Sequence, residues 1–331
     1  NRTRTTEASI ADAQIGGGAG INFDSGSLNG NGNSQSALAQ ANSISNALNV
    51  EATSVTASAA LSSSQVGRGG NTASVTSSGA FAAYIGGALG TASAAPVEVS
   101  GNTLVAQADV NSAANALDVT ATSAINGAGL GGSGASSDNT TYAGYVGAVA
   151  DFAGANYQSD NGDVAATASP GLVGVEVAAG AIGGAGASSL TVNDNRVASL
   201  AAANDASTTV GLSGAGNIGA TTAVYNQQFT GYAVTGTVSA TTSNARIGIY
   251  DDAGAAINNA SLTVSGNRLS AGASGSSASN TIGVLPVALN AGSLESTQGS
   301  VSATGSTALA SHALVNSQTS YDAINATVTD R

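Results

Sequence analysis

The chain has 331 residues, 19 Asp and Glu against seven arginines, and a net charge of −12. It lacks Cys, Met, Trp and Lys. That composition excludes a disulfide framework, a basic face for a nucleic-acid backbone, and lysine-dependent P-loop or Schiff-base chemistry.

Ala, Ser, Gly, Thr, Asn and Val dominate, large apolar side chains are scarce, and only 8% of residues are charged. Such a chain suits thin, repetitive structure ordered by backbone ladders better than a thick globular core. It opens at Asn1 with no signal-like apolar run, as expected after leader removal or for a start inside a longer precursor. No stretch approaches the roughly 18 apolar residues of a membrane span. In chain order, residues 1–20 read as a polar segment and a possible intersubunit strand, 21–317 as a repeat array, and 318–331 as a polar C-terminal strand or tail.

Four cassettes carry the array, anchored on Asn33, Asn102, Asn195 and Asn267, at spacings of 69, 93 and 72 residues. Nine residues after the anchor stand Asn42, Asn111 and Asn204, with Ser276 in the fourth copy. Thirteen after it stand Asn46, Asn115 and Asn280, with Thr208 in the third. Apolar residues alternate before each anchor, as at Val97 and Val99, and alternate in the opposite phase after it, as at Leu104, Ala106, Ala108 and Val110. Beyond Asn111 the phase flips again to Leu117 and Val119. Period-two alternation marks strands with one buried face, and each flip marks a bend. Gly and Asn suit such bends because both tolerate the left-handed backbone, and stacked Asn side chains can bond along the axis.

The spacing predicts an all-β fold, an elongated β-solenoid (β-helix). Each rung would take about 23–25 residues, giving roughly thirteen rungs over about 60 Å. The longer second interval, with added Gly, Asp and Tyr between Ser137 and Gly162, reads as a side loop.

Candidate sites are sparse. His312 is the only histidine, too few for a His-coordinated metal, so no catalytic dyad and no cofactor are expected. Asp160, Asp163, Asp251 and Asp252 are weak calcium candidates, set against a plain reading as solvated turn carboxylates. Tyr142, Tyr145, Tyr157, Tyr225 and Tyr232 form a candidate contact patch, set against packing of loops on the array.

The Gly32-Asn33, Gly101-Asn102 and Gly266-Asn267 corners, each followed by an alternating strand and a second Asn, resemble curlin repeats and Fap-type biofilm amyloids. More loosely they resemble holdfast-anchor-like surface proteins. The repeats are interrupted, and the spaced Gln ladder of curlin is absent. The resemblance implies an extracellular, bacterial biofilm or attachment role. With no amphipathic capping helix legible at either end, the array is expected to be a non-enzymatic subunit that polymerises with itself through β-strand stacking or terminal strand donation, with cell-surface or matrix components as further partners. A monomeric adhesin or autotransporter-like stalk is the alternative.

Overall fold

The computed structural model describes residues 6–11, 15–16, 27–85, 96–128, 134–137, 146–177, 188–214, 216–231, 235–251, 257, 260–285, 299–303, 306–310 and 312–330. Regular structure among them is all β-strand, mostly parallel and stacked in register. No described helix is long and apolar enough to cross a membrane.

The chain passes repeatedly through four columns of strands. A short corner column holds Leu28–Asn29, Pro96–Ser100, Ser188–Asn193 and Ala260–Ser265. A long column holds Ser34–Thr56, Thr103–Asn126, Arg196–Ser213 and Arg268–Leu285. An inner column holds Ala59–Gly67, Phe152–Asp160, Thr222–Thr230 and His312–Ser320. In the split column, Thr6–Ala11, Asn71–Thr76, Val164–Ser169, Thr237–Asp251 and Ala323–Asp330 form one limb. Ile15–Gly16, Phe81–Ile85 and Gly171–Val177 stack on the second half of Thr237–Asp251 as the other.

This pairing corrects the expected rung. Thr103 lies opposite Ser34 and Arg196, and Arg196 lies opposite Arg268, so partners are separated by the cassette spacing itself and not by 23–25 residues. The cassette is one long bent strand, and a full pass needs the inner and split strands between cassettes as well. The long column is therefore four strands deep, roughly 15 Å at the usual ~4.8 Å spacing, far short of thirteen rungs and 60 Å.

The phase flips have two physical causes. At the anchor, Gly32, Gly101 and Gly266 have φ of 68°, 65° and 67°, and Asp194 takes the same place at 55°. Farther on, Val110 and Asn111 are adjacent and both buried while the pairing to both neighbouring strands keeps one register across them, so the flip is a bend shared by the stacked strands and not a break between strands. The first half of the long column then faces the split and corner columns, burying Leu104, Ala106, Ala108 and Val110 with Val75, Val97, Val164 and Val192. Its second half faces the inner column, burying Leu117, Val119 and Ile125 with Phe152, Val210 and Val224.

The expected side loop between Ser137 and Gly162 is only partly that. Residues 127–151 are inserted between the long and inner columns, but Phe152–Asp160 is a fully buried strand of the inner column. Val146–Val149 of this insertion pairs antiparallel with Gly299–Ala303, from the matching insertion two passes later. Gly134–Ser137 and Ser306–Ala310 complete that four-stranded patch. The expected boundary at 317/318 falls inside the strand His312–Ser320.

Gly101 isolates the cost of the left-handed corner, because a Cβ built there meets nothing nearer than 3.9 Å. Gly101→Ala is expected to lower stability by about 1–2 kcal/mol through backbone strain alone, read as a lower urea midpoint with an unchanged far-ultraviolet circular dichroism spectrum.

Candidate functional site: interior amide ladders and two open edges

The anchor asparagines form one hydrogen-bonded line. Both the backbone amide and the Nδ2 of Asn33 donate to Asn102 Oδ1, at 2.9 and 3.0 Å. Asn102 does the same to Asn195 at 3.2 and 2.9 Å, and Asn195 to Asn267 at 3.0 and 2.9 Å. The second Nδ2 hydrogen closes on the wall behind: Asn102 to Gly30 O, Asn195 to Val99 O and Asn267 to Val192 O. Each inner asparagine thus satisfies both amide hydrogens while buried, which removes the desolvation cost of an unpaired amide.

A second line runs from Asn42 to Asn111 to Asn204, each Nδ2 donating to the next Oδ1 at 2.8 Å, and ends on Ser276 Oγ at 3.5 Å. The third expected line is interrupted. Asn46 donates to Asn115, but Thr208 breaks the column, and Asn115 and Asn280 turn sideways to Ser63 and Asn316 of the inner column.

The inner column carries two further lines that cassette reading missed. Asn156 donates to Asn226 at 2.6 Å and Asn226 to Asn316 at 2.9 Å, with Ser63 Oγ donating to Asn156. Beside it runs a glutamine ladder: Gln318 donates to Gln228, Gln228 to Gln158 and Gln158 to Gln65, each Nε2 to Oε1 at 2.7 Å. Gln65, Gln158 and Gln228 also donate to the wall at Ser112 O, Asp205 O and Ser277 O. This line corrects the expectation that a spaced glutamine ladder is absent. Its signal was present as a Ser/Asn-x-Gln triplet at Ser63, Asn156, Asn226 and Asn316.

The tyrosine patch is not assembled at the surface. Tyr157 and Tyr225 lie on the outer face of the inner column, buried with Ala148, Ala150, Ala153 and Phe229 under the insertion. Tyr142, Tyr145 and Tyr232 lie outside the described residues. Among the described residues no three His, Asp or Glu side chains are grouped to hold a metal ion. Asp163 and Asp251 are exposed, and Asp252 lies outside the described residues. His312 begins an inner strand, its Nδ1 2.9 Å from Thr222 Oγ1, and burial lowers its pKa.

Asp160 is different in kind. It is fully buried, and neither carboxyl oxygen closes a hydrogen bond, although the Asn161 and Gly162 amides lie near enough to draw its pKa down slightly. Desolvation, reinforced by the charge of Asp322, pushes it up to about 8. Burial also raises Asp322 and Asp109.

Among the described residues the columns are open at both ends. In the corner column Leu190 and Val192 are 0% exposed, while their mates on the last strand, Leu262 and Val264, are 53% and 52% exposed. Leu314, Ile324 and Val328 repeat this on the last inner and split strands. The inner-to-split corner of the interior opens as a cavity of about 440 Å³ at the first layer, lined by Thr6, Asn42 and Gly67 among others. A second, of about 350 Å³, opens at the last layer beside Gly275, Gln318 and Ile324.

No family model, curated protein or solved structure matches this chain.

Two measurements follow. Asn111→Ala strips partners from Asn42, Asn204 and the Ser159 carbonyl, and is expected to cost about 1–3 kcal/mol for each group left unsatisfied, measured by urea unfolding. Between about pH 4, where an unfolded carboxyl titrates, and about 8, the folded chain holds an Asp160 proton that the unfolded chain has released. Stability should therefore fall as pH rises through that window, and Asp160→Asn should flatten the dependence of the urea midpoint on pH.

Proposed function

We propose that the chain is a structural subunit of an extracellular filament or surface matrix, wound as a β-solenoid of about four passes and polymerising with its own kind. The carrying observation is the pair of unsealed ends. Apolar positions that are fully buried in the middle layers stand open on the last one, while soluble repeat proteins close such ends with a polar cap. Contacts between unlike ends are heterologous and propagate without closure, which produces a fibre.

The ladders support the same reading, because each keeps one polarity along its length, the asparagine lines donating toward the last layer and the glutamine line toward the first. Asn267 makes the wall bond but has no next asparagine to donate to. Gln318 donates down its ladder, leaving its Oε1 as the next acceptor, and Gln65 makes the wall bond but has no preceding glutamine to donate to. Donors and acceptors at one end therefore match those at the other. A bacterial biofilm or holdfast setting, and contacts with surface or matrix components, extend this reading from the cassette resemblance. The adhesin alternative is weaker, since two of its five tyrosines are buried.

Negative-stain microscopy of the purified chain is expected to reveal unbranched filaments, with a ~4.8 Å meridional reflection in aligned material. Leu262→Lys with Val264→Lys, at positions already exposed, should leave a folded monomer that does not elongate. Monodisperse particles from the unaltered chain at high concentration across pH 4 to 8 would overturn the proposal.

A further inference from the structure

The columns do not have equal depth. Among the described strands the first limb of the split column is five deep, and the corner, long and inner columns are four deep. In the split column Thr6–Ala11 lies below the second layer, and Ala323–Asp330 lies above the fourth. If the long strand of one copy stacks directly on Arg268–Leu285 of another, the two terminal split strands are assigned the same place. One of them must leave.

Their registers make them interchangeable. Following the pairings through the column, Ile324, Ala326 and Val328 occupy the positions of Thr6, Ala8 and Ile10. Both triplets alternate toward the interior, and in the first layer that interior is lined by Ala37 and Ala39. The two strands differ in how well they are covered. Ala8 and Ile10 pack on the core, whereas Ile324 and Val328 remain 44% and 46% exposed beside the open cavity at Gly275. Ala323–Asp330 is also longer, eight residues against six. The larger gain in apolar burial comes from moving Ala323–Asp330 into the shared place.

We infer that assembly proceeds by strand exchange: Ala323–Asp330 of one copy displaces Thr6–Ala11 of the next and pairs in parallel with its Asn71–Thr76. This rests on the filament reading and specifies its joint. With the exchange made, all four columns continue across the junction without a gap. Asn267 then meets the next Asn33, and Gln318 the next Gln65, in the ladder geometry seen inside the chain. The N-terminal strand acts as a resident guard over the first layer until a second copy replaces it.

The chain has no cysteine, so paired substitutions report the exchange without background. Ser9, Ser74 and Thr327 share one outward-facing line of the split column. Ser9→Cys with Ser74→Cys should oxidise to an intrachain disulfide in the monomer. In filaments assembled under reducing conditions and then oxidised, its yield should fall at least tenfold. Ser74→Cys with Thr327→Cys should give the reverse, a ladder of covalent oligomers only from filaments. A chain shortened to end at Asp322 should keep its circular dichroism spectrum and elongate at least tenfold more slowly. Filaments that retain the Ser9–Ser74 bond and give no Ser74–Thr327 oligomers overturn the exchange while leaving the filament reading intact. Interchain bonding of Ser9→Cys to Thr241→Cys would overturn it too, since the C-terminal strand would then be the one displaced. Absence of filaments from every variant and from the unaltered chain would bring down both.

Discussion

Asparagine and glutamine reach the interior of this chain because each meets its counterpart one layer away. A buried primary amide carries two donors and an acceptor, and an isolated one would be costly. Here one hydrogen goes to the next amide in the line and the other to a wall carbonyl, as at Asn102, Asn195, Gln158 and Gln228. That arrangement demands strict register, since a slip of one residue would turn every such side chain to solvent and bring its neighbours inward. The polar lines therefore specify alignment between layers, while small apolar residues fill the space around them.

The second constraint is thinness. The core is built from Ala and Val with few larger groups, so neighbouring strands must approach closely and a single face rarely supplies enough burial. The inner column meets this by being covered twice. Phe152 and Val224 face the long column, and Tyr157, Tyr225 and Phe229 face the insertion. An antiparallel patch formed by insertions from the second and fourth passes thus reaches over the third, tying layers that do not otherwise touch through the inner column.

The all-β class, the anchor asparagines and their left-handed corners were legible because each leaves a local mark: alternation, Gly before Asn, a fixed offset to the next Asn. The length of a pass was not legible. The bend at Val110 and Asn111 produces the same phase change as a true corner, so one bent strand read as a closed rung. The glutamine line was hidden for a different reason. Its Ser/Asn-x-Gln triplet lies between the cassettes, where variable insertions break simple periodicity, although its spacings follow the same passes. Tyrosines beside that triplet suggested a surface when they in fact seal the outer face of the inner column. The burial of Asp160, which sequence reading offered only as a weak calcium ligand or a solvated turn carboxylate, was not legible, because it comes from packing between Gly67 and Thr230 on neighbouring strands.

Partners in the long column are 69, 93 and 72 residues apart, and none of its strands is paired with a near neighbour in sequence. Closing such loops is expensive in entropy before any ladder forms, which makes the first pass the slow event in folding. A finished edge removes that obstacle, because it presents the missing partner already aligned. For the filament proposed above, conversion of free chain should then show a lag that added filament fragments abolish, so that growth is governed by the number of available tips more than by the concentration of unfolded chain.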